Sequence, residues 1–154
     1  MKTNHIFLLS VASAALVGSA PAQEKKINRS DLPAAVEKTV AEHSKGATIR
    51  GFSEEKENGQ ITYEAEMFVN GHAKDIQMDA NGAILEIEEQ VNLKSVPGAV
   101  RAGLLAKAGK GKILKVESIT KQDRLVAYEA QVVIDGNKSE VQVGPDGKEL
   151  NHEE

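Results

Sequence analysis

The sequence predicts an α+β fold: two tandem α-β-β-β-β units whose antiparallel strands carry the helices on one face. Three observations lead to it. First, one stretch is written twice: Tyr63-Glu64-Ala65-Glu66-Met67-Phe68-Val69 then Asn70-Gly71, and Tyr128-Glu129-Ala130-Gln131-Val132-Val133-Ile134 then Asp135-Gly136, an offset of 65 residues. Second, apolar residues alternate with polar ones on both sides of each Gly-containing turn, the period of half-buried strands. Third, a run with apolar residues every four positions precedes each copy: Leu32, Val36 and Val40, then Val96, Val100 and Leu104.

Met1-Lys2-Thr3-Asn4-His5 is a short basic opening, and Ile6 to Ala20 carries no charge. Ala20-Pro21-Ala22 puts small residues where a signal peptidase reads, so residues 1–22 are expected to be a secretory signal peptide. That apolar run is shorter than the roughly 20 residues that span a bilayer, so stable membrane insertion is not expected. Residues 23–30 are polar and expected to be a flexible N-terminus, followed by units at 31–90 and 95–152.

In the first unit Ser30 or Asp31 offers an N-cap and Pro33 sits in the first turn; the helix should close near Lys45-Gly46. The second helix begins after Ser95-Val96-Pro97 and stops near Gly109, with Gly98 and Gly103 weakening it by up to about 1 kcal/mol each. Strands are expected at 47–54, 60–69, 72–79 and 83–90, and again at 112–119, 125–134, 138–143 and 148–152. Asn70-Gly71 and Asp135-Gly136 fit two-residue type I′ turns, whose central residues both need positive φ, so the strands that they join are antiparallel. Ile61, Tyr63, Ala65, Met67 and Val69 then share a helix-covered face with Ile76 and Met78, as do Val126, Tyr128, Ala130, Val132 and Ile134 with Val141 and Val143.

Composition narrows function. The net charge is −4, and loss of Lys2 with the signal takes it to −5, which argues against nucleic acid and anionic membranes as partners. Cysteine is absent, so thiolate chemistry and disulfides are excluded in an exported protein. His43, His72 and His152 show no metal-ligand spacing, and no serine lies in a nucleophile elbow. The Gly-rich Ala108-Gly109-Lys110-Gly111-Lys112 follows a helix instead of opening one, so it reads as a helix stop, not a phosphate loop. No cofactor, no metal site and no enzyme activity are expected.

The open sheet face is the surface on which both copies present matching residues: Glu64 with Glu129, Glu66 with Gln131, Phe68 with Val133, and Asp75 with Glu140. These eight are the candidate binding residues, with Phe68 the sole aromatic on the face and the carboxylates favouring a basic protein partner. The alternative is a small-molecule or cation-binding protein that uses Glu64, Glu66 and Asp75 as oxygen ligands. The acidic run Glu86, Glu88, Glu89 reads as a solvated edge.

The order of elements, with Leu32-Pro33-Ala34-Ala35-Val36, Tyr63-Glu64-Ala65-Glu66, Tyr128-Glu129-Ala130-Gln131 and Gly144-Pro145-Asp146-Gly147, resembles the PepSY family over nearly all of Asp31 to Leu150. It looks most like the tandem, exported PepSY-like group related in shape to the secreted β-lactamase inhibitor protein. The resemblance implies a periplasmic or secreted, non-enzymatic domain that binds or inhibits another protein, such as a protease or a cell-envelope enzyme. β-Lactamase inhibitor protein binds through an aromatic-rich face, whereas this chain offers only Phe68 there.

Overall fold

A computed structural model describes residues 23–57, 59–152 and 154; the expected signal peptide lies outside them. The chain forms one eight-stranded antiparallel sheet in which every strand pairs with its sequence neighbours, in the order β1 to β8. The strands are β1 (Gln23–Ile27), β2 (Thr48–Glu57), β3 (Gln60–Val69), β4 (His72–Asp79), β5 (Ile84–Gln90), β6 (Lys112–Lys121), β7 (Arg124–Ile134) and β8 (Asn137–Val143). Helix α1 (Ala34–His43) connects β1 to β2, and α2 (Gly98–Ala108) connects β5 to β6. Both helices therefore leave one strand and return to its immediate antiparallel neighbour.

Two expectations are corrected at the ends. Residues 23–30 are not loose: Gln23–Ile27 pair along the outer edge of β2, and Ile27 packs against the first core. A single apolar anchor on a polar edge strand suffices, because the outward side of an edge faces water. Conversely, no strand forms at 148–152. Leu150 is the only apolar residue there, so the segment has no alternating face to bury. Gly144 N–H instead donates to Lys148 O at 2.8 Å, closing a turn after β8.

The core has two clusters on the helix side of the sheet. Val36 and Val40 of α1 meet Phe52, Tyr63, Ala65, Met67, Ile76 and Met78. Val96, Val100, Leu104 and Ala108 meet Val116, Ala130, Val132 and Val143. The hairpin turns behave as their residues require: Asn70, Gly71, Asp135 and Gly136 all have positive φ. A further two-residue turn at Gln122-Asp123 takes the same conformation without glycine. The helix caps differ from expectation, because Pro33 and Pro97 occupy the N-cap positions. Ser30 and Asp31 lie in a short 3-10 turn, where Asp31 Oδ2 accepts from Asn28 N–H at 2.9 Å.

The turns after β4 and β8 press against the helices. Thr39 Oγ1 donates to Gly82 O at 2.7 Å, and Gly82 lies against the backbone of Ala35. Gly147 lies against Ala99 and Val100 in the same manner, with Gly103 facing its carbonyl. Gly103, read as a weakness of the helix, is thus where the following turn makes its close approach.

Candidate functional site: the acidic face of the sheet

Because Tyr63, Ala65 and Met67 enter the core, the residues between and beyond them on β3 (Glu64, Glu66 and Phe68) project from the opposite face, which neither helix covers. Register then carries a line of acidic groups across the sheet. Glu66 stands opposite Asp75, Asp75 opposite Glu88, Glu117 opposite Glu129, and Gln131 opposite Glu140. Two bulges set the parity of β2 and β6. Pairing shifts between Ile49 and Gly51 and between Ile113 and Lys115. Each lets apolar residues three apart, Ile49 with Phe52 and Ile113 with Val116, serve the same core.

A flat sheet would leave this face open. Instead Ser53 is 1 % and Glu117 4 % exposed, so the sheet curls toward this side and its side chains crowd one another. Ser53 Oγ donates to Glu64 Oε2 at 3.3 Å, and Gln142 Nε2 donates to Glu129 Oε2 at 2.8 Å. Lys26 of β1 pairs with both Glu66 and Glu24, and Lys115 Nζ lies 2.7 Å from Glu117 Oε2. At the β8 end Glu154 meets side chains of this face. Glu154 N–H donates to Gln142 Oε1 at 2.9 Å, and Glu154 Oε2 lies 3.6 Å from Lys121 Nζ. Ile119 and Ala127 are buried on this side.

Crowding carboxylates away from water has an electrostatic consequence. Burial first, and then the charge of neighbours such as Asp75 and Glu66, pushes Glu64 up to about 7. Burial also raises Glu129 to about 7 against the opposing hydrogen bond from Gln142, and Asp75 to about 6 with help from Glu117. Glu88 is pushed furthest, to about 9, by burial and by the charges of Glu117, Glu129 and Glu86.

Stability should therefore rise as the solution is acidified from pH 9 to pH 5. The folded state holds protons that the unfolded chain releases at its ordinary carboxylate pKa, so the contribution is complete below about 4 and is lost progressively from there to about pH 9. One unit on one group is worth about 1.4 kcal/mol. Lys26, Lys115 and Lys121 are cations that face these carboxylates. The groups repel one another, so relieving one relieves the rest, and the net gain should be roughly 2–4 kcal/mol, or about 10 °C in Tm. Calorimetric melting in buffers matched for ionic strength reads this directly, and a Tm that instead rises with pH would refute the buried acidic belt.

Among the eight sequence-derived residues, Glu64, Glu66 and Asp75 sit on neighbouring strands, with Glu129 further along the same belt. Phe68 and Val133 are not brought together: they stand on strands four apart, about 19 Å at ordinary strand spacing. Phe68 is 37 % exposed and the Arg50 guanidinium lies 5.5 Å from its ring centroid, so the aromatic is capped by a cation. Gln131, Val133 and Glu140 are half-buried nearer the β8 edge. Sequence reasoning missed Glu117 and took Glu88 for a solvated edge. The bulge before Lys115 hid the parity of β6, and a second shift between Ile119 and Thr120 defeats counting from the Gln122-Asp123 turn, which would pair Glu117 with Tyr128 and not with Glu129.

Neither a protein-family model nor a curated protein matches the chain. Solved structures do share its fold. A protein from Bacteroides eggerthii described as periplasmic superposes with a TM-score of 0.63 at 18% identity, over 78% of this chain and 86% of that one. A DUF2874 family protein from Bacteroides ovatus gives 0.60 at 17% identity, covering 78% and 85%. A BLIP-like protein from Bacteroides fragilis gives 0.57 at 20% identity, covering 76% and 82%. The chain thus has a BLIP-like α+β fold. Among the described residues no helix is long and apolar enough to cross a membrane.

Proposed function

We propose that this chain is an exported, periplasmic, non-enzymatic binding module whose open sheet face receives a basic protein partner, a protease or cell-envelope enzyme that it holds or inhibits. The observation that carries this reading is the placement of the acidic belt. Its carboxylates stand on paired strands, on the sheet face that neither α1 nor α2 covers, and far outnumber Lys26, Lys115 and Lys121 there. Rigid strand-borne groups lose little freedom on binding, and a cationic partner that docks here displaces the protons that Glu64, Glu88 and Glu129 hold near neutral pH, so charge complementarity is completed on contact. The folds of the periplasmic protein and the BLIP-like protein support the same reading. So does the resemblance to PepSY-like domains, under which the chain would be two copies of one unit. The element order β-α-β-β-β, followed from β1 and again from β5, would be that unit.

The test uses a partner recovered from the exported fraction and measured against purified variants. Phe68→Ala should weaken binding by about 30-fold, the effect of losing roughly 2 kcal/mol at an aromatic anchor. Lys38→Ala, on the exposed side of α1, should change nothing. Affinity should also fall with added salt. Abolition by Lys38→Ala with Phe68→Ala intact would move the interface to the helices and end this reading.

A further inference from the structure

Asp75, Glu88 and Glu117 lie on three successive strands, β4, β5 and β6, in the middle of the acidic face. One carboxylate oxygen from each falls within 4.8 Å of the others. Glu117 is the buried member, and its Oε1 has no hydrogen-bond partner among the described residues although it is shielded from water. A carboxylate oxygen left in that condition is destabilising, because desolvation is not offset by any donor. Its other oxygen is taken by Lys115 at 2.7 Å. Fully ionised, three carboxylates facing one ammonium carry two net negative charges, which a divalent cation neutralises as it displaces the proton that burial holds on Glu88.

We propose that Asp75, Glu88 and Glu117 form a Ca²⁺ site on the floor of the sheet face, with Lys115 balancing the remaining charge. The donor set is oxygen only, which selects a hard cation over zinc or copper. The oxygens lie close enough for one ion to reach all three, since oxygens about 2.4 Å from Ca²⁺ can be up to about 4.8 Å apart. Ligands fixed on three paired strands suit Ca²⁺, which accepts irregular coordination, better than Mg²⁺, which demands a near-ideal octahedron and gives up its waters reluctantly. Waters complete the coordination from the open side.

This site shares Asp75 with the docking face but is tested apart from it, since the experiment needs no protein partner. Purified protein stripped with chelator is titrated calorimetrically with CaCl₂ at constant ionic strength. Saturable binding of one ion is expected, with Kd at or below the 10⁻⁴–10⁻³ M typical of extracellular modules. Glu117→Gln and Glu88→Gln should each weaken it at least tenfold. Glu42→Gln makes the same change in net charge from exposed α1 and should leave it unchanged. MgCl₂ should bind at least tenfold more weakly. Melting curves check that the variants fold; should Glu117→Gln fail to, Asp75→Asn removes a ligand that is only half-buried. Absence of saturation at about 10 mM, ten times the weak end of that range, would overturn the site. Equal loss in Glu42→Gln, or equal affinity for Mg²⁺, would overturn it too, leaving only diffuse attraction of counter-ions.

Discussion

Val100→Asp, and equally Val36→Asp, should leave most of the protein unfolded at ambient temperature. Both valines are 0 % exposed, each at the centre of its helix's contact with the sheet. The substitution loses about 1.5–3 kcal/mol of apolar burial and places an unpaired carboxylate among Leu104, Val116 and Val143, or among Val40, Met67 and Ile76. Together these effects reach about 5 kcal/mol or more, comparable with the whole stability of a small domain. Val→Ala at the same positions removes only methyl groups and should lower stability by roughly 1–3 kcal/mol. Denaturant titration followed by far-ultraviolet circular dichroism separates the two classes. If Val100→Asp melted within a degree of the parent, the packing of α2 on the sheet would be wrong.

That test probes what the sequence made most legible. Val36 and Val40 recur at helical spacing, and Tyr63, Ala65 and Met67 at strand spacing, so each residue's side was readable without coordinates. The Asn70-Gly71 and Asp135-Gly136 hairpins were equally clear, because few residue pairs tolerate two positive φ angles. β1 was not legible: Gln23–Ile27 carries one apolar residue, and its strand form depends on the free edge of β2, a tertiary fact. The site was half legible. Glu64, Glu66, Asp75 and Glu129 follow from alternation, but alternation says nothing of how far a face curls. It therefore could not distinguish a solvated Glu88 from the crowded one observed. Glu117 was hidden by a bulge, which reverses every assignment beyond it.

Gly147→Ala should destabilise the protein by more than about 3 kcal/mol, although it adds a single methyl group at the surface of a turn. Two separate penalties combine. Gly147 has φ +79°, a left-handed conformation that costs a residue with a Cβ about 1–2 kcal/mol. The added Cβ would also stand 2.2 Å from Ala99 O and 2.7 Å from Val100 N, both backbone atoms of α2 that no side-chain rotation can move. Relief requires lifting the turn after β8 from the helix, which would open the contact with Gly103 and loosen Val100 over the second core. Gly136→Ala supplies the control, since Gly136 has φ +83° but, among the described residues, nothing within 4 Å of the new Cβ. It should suffer the conformational penalty alone. The difference between the two variants in urea denaturation thus measures the turn-on-helix contact, expected at about 2 kcal/mol or more by comparison with other overpacked sites. Gly82→Ala, 2.5 Å from Ala35 O at φ +78°, should behave like Gly147→Ala at the other helix. Equal losses for Gly147→Ala and Gly136→Ala would mean that the turn yields without cost and that the helix is held by its valines alone.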